Sequence, residues 1–255
     1  MRSTFAAASG AALALALVAC SDAETKTETQ MVPATATAAA PATGCTRIVI
    51  DPGHNAHANP ATEPIGPGSS RRKIKDGGGT RGTVTGQPES VVNLQISMRL
   101  RKLLQADGYC VTMTRTREAG VSMGNVERAR IANRAHAALF VRVHSDGNTS
   151  SAKHGTSVLY PALHRGWTDD ILPASRVAAT AMQRELVRAM GSRDLGIVPR
   201  SDITGFNWSN VPVVLPELGF LTNPREDRLL TSVAYQGKAA RGLERGIRAF
   251  VPPRK

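Results

Sequence analysis

Aromatic residues are scarce in this chain of 255 residues, since Phe, Trp and Tyr together make up only 4% of it. That scarcity argues against a platform of stacked aromatic rings for single-stranded nucleic acid, so we expect no nucleic-acid partner. The sequence also lacks an H-E-x-x-H pattern and paired C-x-x-C patterns, which excludes those two designs of zinc site. It has no internal repeat, which excludes a repeat array.

The charge balance is strongly basic, with 32 Lys and Arg against 20 Asp and Glu and a net charge of +12. Such a surface attracts polyanions, including nucleic acid, anionic lipid and the acidic polymers or peptides of a cell wall, and charge alone does not choose among them. Most of the cations are scattered, apart from a cluster at residues 71–75, and a solvated surface is their ordinary interpretation. With 41% hydrophobic residues, the chain can bury the core of one substantial domain.

The first twenty residues have the pattern of a secretory signal peptide. A positive start at Met1-Arg2 precedes an apolar run, residues 11–19, that is too short to cross a bilayer. The run ends Leu-Val-Ala-Cys, which resembles a bacterial lipobox, so we expect Cys20 to carry lipid and to become the mature N-terminus. An ordinary signal peptide is the alternative. Both interpretations predict export, to the outer side of the cytoplasmic membrane, the periplasm or the cell wall.

Residues 21–44 consist mainly of Ala, Thr, Pro and Glu, a composition that predicts a disordered tether. The folded domain is therefore expected to cover residues 45–252. Cys45 and Cys110 remain within it, and an even pair of cysteines in an oxidising compartment favours a disulfide bond. Each lies at the start of an apolar run, so a bridge between the starts of two neighbouring parallel strands is geometrically plausible. Two free thiols are the alternative.

Strand-like and helix-like patterns alternate through this domain. In the first predicted helix Val92, Ile96 and Leu100 recur on one face, whereas the Gly-rich, basic residues 59–87 are predicted to form a loop. The alternation is typical of an α/β fold, a single domain with a mainly parallel, twisted sheet flanked by helices on both faces. The predicted strands are residues 48–50, 109–114, 138–143, 157–160 and 211–215, and the predicted helices are residues 89–105, 125–135, 174–190 and 232–250.

Four ionisable residues lie where an open α/β sheet places its ligands. His54, His144 and Glu217 each follow a predicted strand closely, and Glu89 opens the first predicted helix. Helices of β-α-β units run antiparallel to the strands, so the start of a helix lies beside the carboxyl edge of the sheet. We therefore expect the four side chains to converge at that edge.

Two imidazoles and one carboxylate form a standard donor set for catalytic zinc, with an open position for water. We predict that His54, Glu89 and His144 bind Zn²⁺ and that Glu217 is the catalytic acid/base that moves the proton of the water. Each residue alone has an ordinary structural interpretation, such as Glu89 being an acid favoured by the helix dipole. The other histidines are interpreted as loop surface, structural or exposed: His57, the rival ligand, and His136, His154 and His164.

The chain resembles a known family, the zinc-dependent N-acetylmuramoyl-L-alanine amidases of the amidase 3 type, and especially their small mycobacterial and actinobacterial members. The resemblance implies hydrolysis of the amide bond between N-acetylmuramic acid and L-alanine in peptidoglycan, with the zinc ligands and catalytic glutamate named above. It also implies a disulfide bond between Cys45 and Cys110. The matching stretches within residues 47–250 are Ile-Val-Ile-Asp-Pro-Gly-His at 48–54, Glu89 before its helix, Arg-Ala-Arg-Ile-Ala-Asn at 128–133, Phe-Val-Arg-Val-His-Ser-Asp at 140–146 and Leu-Pro-Glu-Leu-Gly-Phe-Leu-Thr-Asn at 215–223.

One departure from the family pattern is Arg142, which stands where these proteins more often have a small residue two positions before the histidine. We expect Arg142 to lie on the strand face opposite the metal. The expected partner is peptidoglycan or a muropeptide, the membrane is reached only through the N-terminal lipid, and a monomer is expected. Two alternatives stay open: another zinc amide hydrolase that acts on stem peptides, such as a carboxypeptidase, and a non-catalytic wall-binding module on the same scaffold. The presence of Glu217 favours an enzyme.

Overall fold

The computed structural model describes residues 44–120 and 122–254. The predicted signal peptide, with Cys20, and all of the predicted tether except Gly44 lie outside the described residues. Within the described part of the chain, no helix is both long enough and apolar enough to cross a membrane.

A six-stranded sheet forms the centre of the domain. The strands of the described residues are β1 (Arg47–Pro52), β2 (Asn59–Pro64), β3 (Arg72–Asp76), β4 (Cys110–Met113), β5 (Leu139–Asp146), β6 (Thr156–Pro161), β7 (Asp194–Arg200) and β8 (Val213–Phe220). The central sheet has the order β4-β1-β5-β8-β6-β7, and β2 pairs with β3 in a separate sheet. Within the central sheet every pair is parallel except β6 with β8. This confirms the predicted α/β fold with a mainly parallel sheet.

Helices cover both faces of the central sheet, as predicted. In the described residues they are α1 (Glu89–Ala106), α2 (Asn125–Arg134), α3 (Leu172–Met190), α4 (Thr204–Asn207), α5 (Pro224–Leu230) and α6 (Val233–Phe250). Successive side chains of a strand point to opposite faces. Accordingly Ile48 and Ile50 of β1 join the apolar core beneath α1, α3 and α6, whereas Val49 joins a second core beneath α2 and α4.

The prediction of a loop across residues 59–87 is wrong for its first part, where β2 and β3 form an antiparallel hairpin. The cluster of cations at residues 71–75 therefore lies largely in β3. Contacts from distant parts of the chain hold the hairpin: the indole of Trp208 donates to the Pro64 carbonyl at 2.9 Å and the Asn207 amide donates to the Ile65 carbonyl at 3.0 Å. The sequence of the hairpin itself contains no signal for such long-range contacts. Strand β7 and the short helices α4 and α5 were not predicted either.

The predicted disulfide bond joins Cys45 and Cys110, whose Cα atoms lie 5.6 Å apart. The bond connects the amino ends of two neighbouring parallel strands, because Arg47 of β1 is in register with Cys110 of β4. It closes a loop with a sequence separation of 65 residues.

We expect replacement of both cysteines by serine to lower the free energy of unfolding by about 4 kcal/mol, because the unfolded chain then regains the entropy that the closed loop removes. Urea unfolding of the variant and of the wild type at one pH measures this difference. Treatment of the unfolded wild type with a reductant is the control and should reproduce the loss. Equal unfolding free energies for variant and wild type would contradict the bond.

Candidate active site

His54 lies in the turn that follows β1, in a backbone conformation that is uncommon for a residue with a side chain. Its φ is 61°, which is the left-handed region favoured by glycine, and residues held there are typical of functional sites. The turn begins at Gly53, whose amide donates to the carbonyl of Val143 at 2.9 Å and continues the pairing of β1 with β5. A Cβ on Gly53 would overlap the ring of His144. Glycine therefore lets the two histidines approach each other.

Asp76, at the end of β3, orients the imidazole of His54. Its Oδ1 lies 2.7 Å from Nδ1 of His54, and its Oδ2 accepts hydrogen bonds from the backbone and side-chain amides of Asn55 at 2.7 and 2.6 Å. The opposite ring nitrogen, Nε2, lies 3.3 Å from Oε1 of Glu89. Asp76 was not predicted as a site residue, since only the unpredicted hairpin of β2 and β3 brings it to this edge of the sheet.

Glu89 is the first residue of α1 and is buried. Its Oε2 accepts from the amide of Thr80 at 2.9 Å, and its Oε1 accepts from the side chain of Asn93 at 3.1 Å and the amide of Ser145 at 3.2 Å. Gly79, with a φ of 68°, passes close above: a Cβ there would lie 2.8 Å from Oε2 of Glu89. Because Gly79 has no side chain, the backbone of the glycine-rich loop can pack directly against the carboxylate of Glu89.

His144 and Glu217 lie inside strands and not after them, which corrects the predicted strand ends. β5 continues to Asp146 and β8 to Phe220, because parallel pairing extends beyond the apolar runs on which the prediction was based. His144 and Glu217 are register partners on these adjacent strands, whose spacing in a sheet is about 4.8 Å. The two side chains therefore stand next to each other.

Three of the four predicted residues form a compact donor cluster. One ligand atom each of His54, Glu89 and His144 lies within 4.8 Å of the other two. Nδ1 of His144 is 3.1 Å from Oε1 of Glu89, and the imidazoles of His54 and His144 meet edge to face with centroids 4.9 Å apart. The remaining histidines lie outside this cluster: His57, His136, His154 and His164.

Two buried atoms at this site have no hydrogen-bond partner within the described residues: Nε2 of His144 and Oε2 of Glu217. Burial raises the pKa of Glu217 well above its usual range, and the negative charges of Glu89 and Asp146 raise it further. Burial alone would lower the pKa of His54, but Glu89 and Asp76 outweigh it and raise the pKa to about 10.

Arg142 lies on the same strand face as His144, so the prediction that it occupies the opposite face is wrong. The two residues are two positions apart in β5, and a strand repeats its direction every second residue. Both side chains line one cavity of about 90 Å³. The Nε of Arg142 donates to Oδ2 of Asp51 at 2.9 Å, and its Nη2 donates to Oδ1 of Asn125 at 2.7 Å.

Comparison with known proteins identifies the family. The family model for N-acetylmuramoyl-L-alanine amidases of the amidase 3 type matches residues 48–249. The chain belongs to this family. Among its relatives, an N-acetylmuramoyl-L-alanine amidase of Mycobacterium tuberculosis is 30% identical over 211 residues, which cover 80% of this chain and 86% of that protein.

Solved structures of N-acetylmuramyl-L-alanine amidases share the fold. The crystal structure of the amidase Ami1 from Mycobacterium smegmatis has a TM-score of 0.73 and 29% identity, covering 80% of this chain and 96% of that one. The apo form of Ami1 from Mycobacterium abscessus has a TM-score of 0.73 and 27% identity, covering 81% and 98%. The chain is a peptidoglycan amidase, an enzyme for the bond between N-acetylmuramic acid and L-alanine.

Proposed function

We propose that the chain hydrolyses this bond with a zinc ion held by His54, Glu89 and His144, and with Glu217 as the catalytic acid/base. One observation carries the proposal: a buried imidazole nitrogen and a buried carboxylate oxygen, both without partners, lie beside a cluster of two imidazoles and one carboxylate. Buried polar atoms without partners are rare in folded proteins and call for a functional explanation.

The donor set fits zinc. Two imidazoles and one carboxylate are a usual catalytic zinc shell, and a metal-binding histidine commonly gives its second nitrogen to a carboxylate. Asp76 holds Nδ1 of His54 at 2.7 Å, which leaves Nε2 for the metal. When bound, zinc lowers the pKa of a water molecule to about 7 and polarises the scissile carbonyl.

Glu217 is suited to move the proton. Its Oε2 has no hydrogen-bond partner among the described residues, so it is free to accept a proton from the attacking water and deliver it to the nitrogen of L-alanine. The carbon–nitrogen bond breaks, and the products are the lactyl carboxylate and a free α-amine. A zinc ion held by the three ligands would favour the ionised form of Glu217 and so lower its raised pKa, as suits a general base.

Product analysis tests the function. Purified protein is incubated with muramyl peptides, with and without a chelator, and the products are identified by mass spectrometry. We expect a peptide that begins with a free L-alanine amine; its release should stop with the chelator and return with Zn²⁺. A stem shortened at its carboxyl end would identify a carboxypeptidase. No turnover by the zinc-loaded protein would identify a wall-binding module.

Replacement of Asp76 by alanine is expected to weaken zinc binding by about 10- to 100-fold, because His54 loses the carboxylate that fixes its orientation. Competition with a chelating dye measures the affinity. Asp170→Ala is the matched control, since Asp170 is exposed and should leave the affinity unchanged. Equal affinities in the two variants would contradict the orienting role of Asp76.

The proposed location is outside the cytoplasmic membrane, with a lipid on Cys20 as the anchor. The disulfide bond between Cys45 and Cys110 supports it, since such bonds persist in oxidising compartments. Mass spectrometry of the mature N-terminus tests the anchor: a lipid-modified Cys20 is expected, and an unmodified N-terminus at another residue would contradict it. The domain limits at residues 45 and 252 and the monomeric state stay predictions.

A further inference from the structure

Two buried arginines share a single carboxylate beneath the proposed zinc ligands. Asp51 contacts Nη1 of Arg128 through Oδ1 at 2.5 Å and Nε of Arg142 through Oδ2 at 2.9 Å. The side chains of both arginines are only 3% exposed and that of Asp51 is fully buried. The trio therefore keeps one net positive charge inside the protein, and a buried charge without a counter-charge is costly.

The two arginines differ in how many of their donors are used. Arg128 donates to four acceptors, including the Pro52 carbonyl at 3.0 Å and the Asn55 side chain at 2.7 Å. Arg142 uses Nε and Nη2, but its Nη1 donates no hydrogen bond within the described residues. Nη1 lies against Gly205 of α4, where a Cβ would overlap it. Arg142 can therefore donate a further hydrogen bond through Nη1.

A cavity of about 90 Å³ connects Arg142 with the proposed zinc ligands. It has room for several water-sized groups. Lys75, which is partly buried and has no ion-pair partner within the described residues, adds a second positive charge to its wall. Three cations, Arg142, Arg128 and Lys75, and one carboxylate, Asp76, line the cavity, together with two of the proposed zinc ligands, His54 and His144. The oxygens of Asp76 are already engaged by His54 and Asn55, so the positive charges are in excess.

We propose that Arg142 and Lys75 bind a carboxylate of the substrate, the one carried by the stem residue that follows L-alanine, and so select stems in which this group is not amidated. The inference rests on the proposed function, because it assumes that the scissile amide lies at His54, Glu89 and His144. Arginine donors match the geometry of a carboxylate, and such charge-assisted hydrogen bonds are stronger than neutral ones. The carboxylate supplies the counter-charge that Asp51 alone does not.

Two muramyl tripeptides test the proposal, identical except that the second residue carries a free carboxylate in one and a carboxamide in the other. The wild type should hydrolyse the acid with a kcat/KM about 10- to 100-fold above that for the amide, as expected for a buried charged hydrogen bond. Most of the difference should lie in KM. Arg142→Gln should bring the ratio close to one, mainly by raising KM for the acid, and Arg142→Lys should retain part of it. Arg245→Gln, an exposed position on α6, is the control and should keep the wild-type ratio.

Calorimetric binding of both tripeptides to the metal-free protein gives a readout that does not depend on catalysis. The acid should bind more tightly to the wild type than the amide, and equally with it to Arg142→Gln. Thermal unfolding shows whether that variant folds; if it does not, Lys75→Gln takes its place, with a smaller loss of preference expected. Equal binding of acid and amide by the wild type, or a preference kept in Arg142→Gln, would overturn the proposal. Wild-type protein that binds the acid selectively but hydrolyses neither tripeptide would contradict the proposed function and leave the carboxylate site standing.

Discussion

Replacement of Glu217 by glutamine is expected to lower kcat by about 10²- to 10⁴-fold, the usual contribution of a general acid/base. Glutamine keeps the shape of the side chain next to His144, its register partner on β5, but cannot take up and release the proton. KM and the zinc content should change little, since Glu217 is not among the three proposed ligands. The lower kcat would then result from the loss of proton transfer and not from a loss of zinc.

The measurement is the rate of release of L-alanyl peptide from a muramyl peptide at saturating substrate, together with the zinc content of each preparation. Glu127→Gln is the matched control: Glu127 is an exposed glutamate on α2, and its loss should leave kcat within about twofold of the wild type. A zinc-loaded Glu217→Gln enzyme with the wild-type kcat would contradict the role of Glu217 as the catalytic acid/base.

Replacement of Asp51 by asparagine is expected to lower the free energy of unfolding by about 3–5 kcal/mol, since it leaves two buried guanidinium groups without their shared counter-charge. Asp51 also accepts a hydrogen bond from Thr114 at 2.6 Å. Urea unfolding at neutral pH measures the loss, with the exposed Asp170→Asn as control. An Asp51→Asn protein that unfolds at the same urea concentration as the wild type would contradict the importance of this ion cluster.

The same comparison has a predicted pH dependence. Burial would raise the pKa of Asp51, but Arg128 and Arg142 outweigh it and hold the pKa far below its usual range. A carboxyl group whose pKa is lowered by folding stabilises the folded state above its unfolded pKa of about 3.9, and that stabilisation disappears as the pH falls through the folded value. The stability difference between wild type and Asp51→Asn should therefore be constant from pH 7 to 5 and shrink below about pH 4.

Helices α1, α2, α3 and α6 could be predicted from sequence because their signals are local. For α1, the apolar residues Val92, Ile96 and Leu100 repeat at helical spacing and Gly108 follows the end, so the predicted residues 89–105 differ by one from the observed helix. The strands β1 and β5 were recognised from their apolar runs. Their carboxyl ends were placed too early, since polar residues such as His144 continue the backbone pairing.

The positions of the four candidate residues could also be predicted, because parallel strands and the start of α1 share one edge of the sheet. The environment of these residues could not. Asp76 reaches His54 only through a hairpin whose contacts come from residues as far away in sequence as Trp208. The face on which Arg142 lies could have been predicted. Side chains two positions apart in a strand point to the same face, so Arg142 had to lie on the face of His144.

The most direct test of the central claim is the position of the metal, measured by anomalous X-ray scattering at the zinc edge from crystals of the zinc-loaded protein. We expect one strong peak at about 2.0–2.2 Å from one atom each of His54, Glu89 and His144, with Glu217 next to it. A peak at another place, or a folded and active enzyme that contains no divalent metal, would contradict the account.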